Sequence, residues 1–183
     1  MSTTIPTDIT GTWSIDPSHS QIGFTARHAM VTKVRGSFNE FDGTVTVTDD
    51  LSTAQVAVTI QATSIDTRNE DRDAHLRSND FLAMAEHPTI TFASTSVAFT
   101  DGSRMDVTGN LTIKGVTNAV TIPFTFEGTA TDPFGNERAG FEGSVAISRK
   151  DYSVSWNAAL ETGGVLVSDK IVLEFDISAI KQA

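Results

Sequence analysis

Apolar and polar residues alternate with a period of two along most of this chain, which places successive side chains on opposite faces of a strand. Ile22, Phe24, Ala26 and His28 fall on one side of such a run, and Val45 with Val47 on one side of the next. Val56, Val58, Ile60 and Ala62 follow, then Ile90, Phe92 and Ser94. The longest runs are Met105, Val107, Gly109, Leu111 and Ile113, then Val120, Ile122, Phe124 and Phe126. Phe141, Gly143, Val145 and Ile147, and finally Ile171, Leu173, Phe175 and Ile177, complete the set. The residues between them are mostly Thr, Ser, Asn, Asp, Glu and Gln, so each strand has a dry and a wetter face, as in antiparallel sheet. Asp101-Gly102, Lys114-Gly115-Val116-Thr117-Asn118 and Asp132-Pro133-Phe134-Gly135-Asn136 supply turn chemistry between runs and predict a meander. About eight long strands suffice to close a barrel of modest bore. Residues 66–86 break the pattern: they are rich in charge and poor in β-branched residues. They predict a short helical or irregular segment over one opening or side of the barrel, ending before Pro88.

The chain's 183 residues suit one domain, with residues 1–11 as a flexible N-terminal segment and 12–183 as a single barrel. No run approaches the about 18 consecutive apolar residues that a spanning helix requires. The opening MSTTIPTDITG has neither a basic n-region nor an apolar h-region, so the expected location is cytoplasmic. The absence of cysteine excludes disulfides, thiolate metal sites and cysteine nucleophiles. A net charge of -10 repels phosphate backbones and argues against unassisted docking on anionic lipid, so neither nucleic acid nor stable membrane insertion is expected. The plain reading of the acidity is solubility.

The aromatic set is skewed, with 11 Phe against 1 Tyr and 2 Trp. Phe24, Phe92, Phe124, Phe126 and Phe141 fall at dry-face positions, where large side chains ordinarily fill a barrel core. Ala26, Ala62, Ser94, Gly109 and Gly143 share those faces. Small residues among large ones either leave a cavity or fit the barrel's taper, and the pattern leaves both readings open.

A series of motifs runs in order from Trp13 to Asn157. They are Trp13-Ser14-Ile15-Asp16-Pro17-Ser18-His19-Ser20 leading into Ile22-Gly23-Phe24 and His28; Val34-Arg35-Gly36-Ser37-Phe38 with Phe41-Asp42-Gly43; and Arg72-Asp73-Ala74-His75-Leu76-Arg77-Ser78 with Asp80-Phe81 and His87-Pro88-Thr89-Ile90-Thr91-Phe92. Gly109-Asn110-Leu111-Thr112-Ile113-Lys114-Gly115-Val116-Thr117 follows, then Phe134-Gly135-Asn136 with Arg138, Gly140 and Phe141, and Arg149, Asp151-Tyr152 and Trp156-Asn157. Together these resemble the YceI-like family of lipid- or polyisoprenoid-binding domains. The resemblance implies an all-β fold, an extended lipocalin-like eight-stranded antiparallel β-barrel. It also implies a long isoprenoid or fatty-acyl-type ligand inside, and frequent homodimers. Many such relatives carry a secretion signal.

A long chain leaving water gains about 0.8 kcal/mol per buried methylene, but a bilayer offers it nearly the same comfort. Selectivity is therefore expected from packing along the bore and from contacts at a head group. The expected ligand-binding residues are Phe24, His28, Phe38, Phe92, Leu111, Phe124, Phe126 and Phe141 along the bore, with Phe81, Tyr152 and Trp156 at its lid or mouth. Arg27, Lys33, Arg35, Lys114 and Arg149 are the cations available to an anionic head, each otherwise a solvated surface charge. A solid interior of less than about 300 Å3, with no co-purifying lipid, would count against this reading.

Other chemistry is less well supported. Asp16, His19 and Ser20 are too close in sequence for a triad and lack a nucleophile elbow, so they read as a turn bonding backbone groups. His19, His28, His75 and His87 show no metal spacing, and no cofactor or metal is expected. His28 reads either as a buried core imidazole or as a ligand contact. Asp71, Arg72, Asp73, His75 and Arg77 read as an ion-paired segment fixing the crossover. The chain is thus expected to be a non-enzyme. The alternatives are an enzyme acting on such a lipid, with His28 or an Asp73/His75 pair as acid–base groups, and a protein-interaction module with a filled core.

Overall fold

The computed structural model describes residues 8–182. The alternating runs form strands β1 (Gly11–Ile15), β2 (Gln21–His28), β3 (Thr32–Phe38), β4 (Phe41–Val47), β5 (Gln55–Gln61) and β6 (Ile65–Asp66), followed by helix α1 (Glu70–Arg77). Then come β7 (Thr89–Asp101), β8 (Arg104–Ile113), β9 (Val116–Thr131), β10 (Glu137–Ser148) and β11 (Lys170–Lys181). Strands β7 to β11 are the expected meander, each antiparallel to the next. The ring then closes, because the end of β11 pairs with β1, β1 with β4, β4 with β5 and β5 with β7. This is a closed eight-stranded antiparallel barrel. The first half of β11 pairs instead with β2, and β3 and β6 extend the wall beyond β2.

The break between β1 and β2 has a local cause. Asp16 accepts hydrogen bonds from Ser18 N (3.0 Å) and Ser18 Oγ (2.8 Å), capping a single turn at Pro17–His19. Ser20 ties the restart to β11, its Oγ donating to Ser178 O and accepting from Ser178 N. Asp16, His19 and Ser20 thus build a turn.

Most of the expected flexible N-terminal segment, residues 1–7, lies outside the described part; in the remainder Ile9 is 3% exposed, and its carbonyl accepts from the Trp13 indole at 2.9 Å. One expectation changes. In β7 the register shifts between Ser94 and Ser96, so the dry face passes from Ile90 and Phe92 to Val97 and Phe99. Ser94 Oγ there accepts from Val56 N at 2.7 Å, a strand bond made by a side chain.

The crossover at 66–86 holds only the two-turn helix α1, capped by Asn69, whose Oδ1 accepts from Arg72 N at 2.9 Å. It is fixed less by ion pairs than expected. Arg72 donates to the hydroxyl (2.8 Å) and carbonyl (2.6 Å) of Thr67, and Arg77 donates to the carbonyls of Thr63 (3.0 Å) and Ile65 (3.2 Å). Cations bonded to carbonyls satisfy both donor and acceptor where a second side chain has no room.

Candidate ligand-binding bore

One interior cavity of about 250 Å3 follows the barrel axis, its lining running from Ile9, Val47 and Ala54 at one end to Tyr152, Val154 and Val167 at the other. The walls are Ile, Val, Leu, Phe, Ala and Met throughout, with Arg149 the only charged and Tyr152 the only other polar lining residue among those described. The volume is below the 300 Å3 at which ligand pockets ordinarily begin. Phenylalanine rings lying across glycines account for the narrowness. Phe24 faces Gly36 across β2 and β3, and Phe124 faces Gly143 across β9 and β10. A Cβ added at Gly143 would fall 2.7 Å from the Phe124 ring, and one at Gly109 would fall 2.6 Å from the Phe92 ring. The small residues therefore seat large ones rather than leaving holes, and the remaining space is a slim channel.

One end of the channel is closed by the turn Arg149–Tyr152, between β10 and the loop at 153–169, whose polar atoms point away from the dry interior. Arg149 is 4% exposed. Its guanidinium donates to the carbonyls of Ser168 (Nε, 2.8 Å), Val154 (Nη1, 2.7 Å) and Val167 (Nη2, 3.3 Å), and so pins that loop over the barrel end. Burial pulls its pKa below the ordinary arginine value, against the field of Asp169. Tyr152 is 2% exposed, and its hydroxyl has no hydrogen-bond partner among the described residues. The neighbouring Asn118 amide donates to Asp151 O at 2.8 Å and also lies near enough to the hydroxyl to lower its pKa, though outside hydrogen-bond geometry. Burial outweighs it and pushes the Tyr152 pKa up. Asn157 completes the loop, donating to Val167 O (2.7 Å) and accepting from Val167 N (2.9 Å).

A family model described as the YceI-like domain matches residues 13–179. The chain belongs to the YceI-like family. A UPF0312 protein of Staphylococcus aureus is 40% identical over 164 residues, 88% of this chain and 93% of its own length. Among solved structures, BcnA of Burkholderia cenocepacia is 24% identical with a TM-score of 0.79, covering 90% of this chain and 98% of its own. A polyisoprenoid-binding domain from Saccharophagus degradans is 14% identical with a TM-score of 0.72, covering 93% and 98%. Both structures share the barrel fold with this chain.

The YceI-like barrel brings Phe24, Phe38, Phe81, Phe92, Leu111, Phe124, Phe141 and Tyr152 onto one bore. Three expected residues are elsewhere. His28 is exposed at the end of β2, where the strand runs past the wall and bridges Val167, so parity no longer points inward. Phe126 stays on the inner face but packs on Phe141 (centroids 5.5 Å apart) beyond the cavity. Trp156 lies behind the bore against His75 and Phe81, at 4.7 and 5.4 Å between centroids. Among the expected cations only Arg149 reaches the bore, and Lys114 instead donates to the carbonyls of Asn79 and Ser153. Ile9, Leu76, Leu82, Val154 and Val167 line the YceI-like bore without having been expected there. They lie in irregular segments or the short helix, where period two carries no signal.

The acid–base pair expected of the enzyme alternative does not form. Asp73 accepts from Thr67 N and Oγ1 (2.9 and 2.5 Å), whereas His75 Nε2 bonds Asp80 Oδ2 at 2.9 Å. Residues two apart on a helix face different ways, so each took a different partner.

Proposed function

We propose that this YceI-like protein is a non-catalytic carrier or store for one long-chain apolar molecule, such as a polyisoprenoid, an isoprenoid quinone or a fatty-acyl lipid, held inside the barrel. The observation that carries the reading is the apolar channel along the barrel axis, walled from end to end by aliphatic and aromatic side chains. A slim, dry channel suits a chain and excludes a compact polar substrate, and burial of methylenes at about 0.8 kcal/mol each supplies the affinity. That the related fold from Saccharophagus degradans is a polyisoprenoid-binding domain agrees with this use of the barrel. The exposure of His28 and the separation of Asp73 from His75 weigh against lipid chemistry by those groups. The test is denaturing mass spectrometry of solvent extracts from freshly purified protein. A co-purifying long-chain lipid near one per barrel is expected. Its absence, together with no uptake of added palmitic acid or farnesol, would overturn the carrier reading.

A further inference from the structure

The chain's net charge of -10 is unevenly placed. Residues 17–39 carry Arg27, Lys33 and Arg35 and no carboxylate, although the whole has 23 Asp and Glu against 13 Lys and Arg. In the β2–β3 hairpin Arg27 stands opposite Lys33, and Arg35 opposite Thr25, on the face turned away from Phe24 and Ala26, which line the bore. No ion pair among the described residues includes any of the three cations, and like charges directly opposite each other weaken a hairpin. The tip breaks a second rule. Ala29 and Met30 have φ of +51° and +67°, left-handed values that Asn-Gly ordinarily supplies at a hairpin tip. Among the described residues Met30, Val31, Phe134 and Val165 are the exposed large hydrophobics, and all but Phe134 gather here, at 60%, 75% and 41% exposure. Met30 Sδ lies over Gly164, next to Val165. Local rules broken together at an exposed site point to function rather than stability. The hairpin also prolongs one wall of the bore. His28 bridges Val167, a lining residue, and Ala29 N donates to Leu166 O at 2.8 Å. The tip therefore stands beyond the end that the Arg149–Tyr152 turn closes.

We propose that the β2–β3 tip docks the barrel, end-on, against the surface of an anionic lipid bilayer. Met30, Val31 and Val165 enter the boundary between head groups and acyl chains, and Arg27 and Lys33 behind them meet the lipid phosphates. Charge decides the partner. Two copies of the chain meeting tip to tip would bring two sets of three cations together with no carboxylate in either hairpin to offset them. The carboxylates elsewhere on the chain do not cancel the attraction, because at about 0.1 M salt their field decays over about 10 Å and the groups nearest the surface prevail. The stretch beside the tip, 162–168, carries no charge of either sign. Docking stands independently of the carrier reading; given that reading, it brings one end of the bore to the source of its lipid.

The experiment is flotation of the full-length protein with vesicles of pure phosphatidylcholine or of phosphatidylcholine with about one-third phosphatidylglycerol, at about 0.1 M salt. The protein is expected to float with the anionic vesicles and to stay behind with the neutral ones. Arg27→Gln and Lys33→Gln should each lower partitioning about fivefold, roughly what one basic residue near such a surface supplies. Met30→Gly with Val31→Ser removes the apolar tip and eases the left-handed backbone, so flotation should be lost while the melting temperature is kept. Phe134→Ser, in the β9–β10 turn at the opposite end of those strands, should leave flotation unchanged. Failure of the parent to float with anionic vesicles, or undiminished flotation of Met30→Gly/Val31→Ser, overturns the docking site. Equal flotation with both vesicle sets overturns the choice of an anionic surface. A parent that does not float but sediments as a larger species than its tip variant overturns the proposal in favour of a contact between copies. None of these outcomes bears on co-purifying lipid, which tests the carrier reading separately.

Discussion

Tyr152 shows at residue scale what a polar atom costs inside the core. Its hydroxyl is buried out of hydrogen-bond geometry with its neighbour Asn118, so Tyr152→Phe should raise the stability of the empty barrel by about 1 kcal/mol. Urea unfolding of delipidated protein measures the effect, and a lower midpoint for Tyr152→Phe would show that the hydroxyl is satisfied in solution. Glycine positions work in the opposite sense. A Cβ at Gly109 would fall 2.5 Å from Ala93 O and 2.6 Å from the Phe92 ring, so Gly109→Ala must move backbone as well as ring. That substitution should cost about 1–3 kcal/mol by the same measurement. Both effects were hidden in the sequence. Gly109 read equally as a hole or a seat, and Tyr152 carried no periodicity at all.

Secondary elements here are held together by a few side chains placed between them. Arg138 on β10 donates to Asp16 Oδ2, at the turn between β1 and β2, and to Asp132 Oδ2, in the β9–β10 turn, both at 2.8 Å. Asp16 is held well below the usual carboxylate range, chiefly by Arg138. Asp132 is held down as well, its burial being outweighed by Arg138 and by Asn136 and Phe134 bonding to it. Both folded values lie below the unfolded one of 3.8, so the stabilisation is complete above that pH and fades as pH falls beneath it. Arg138→Met should therefore lower the melting temperature at neutral pH and flatten its decline below about pH 4. A parallel acid decline in variant and parent would disprove the linkage. In the loop at 153–169, Asn157 does for backbone what a strand partner would do elsewhere. Asn157→Ala should speed amide exchange at Val167 and its neighbours while β7 to β10 keep their protection.

Taken whole, the molecule is a barrel whose interior is nearly but not wholly filled. A cavity of about 250 Å3 means that a chain-shaped ligand must shift the rings over Gly36, Gly109 and Gly143 as it enters. Such a ligand binds only the folded barrel, so palmitic acid at a hundredfold excess over its Kd should add about 2.7 kcal/mol of stability. A scan of melting temperature against palmitic acid concentration checks this. A flat response up to the solubility limit would mean the interior is closed to ligands. No carboxylate lines this interior among the described residues, for all the chain's net charge of -10.

The strand content, the meander, the position of the irregular crossover and most of the bore's aromatic lining follow from period-two alternation alone. Side-chain direction in a strand is a local property, so Phe24, Phe92, Leu111, Phe124 and Phe141 could be placed from their neighbours. Tertiary structure decided the rest, for a physical reason common to each case. The bulge at Ser94 changes parity, β2 outruns the wall at His28, and Phe126 lies past the cavity's end. Arg149 and Tyr152 meet the bore only because the loop at 153–169 folds back over it. Where a chain crosses a closed ring, what a residue faces depends on segments remote in sequence, and no local spacing records that.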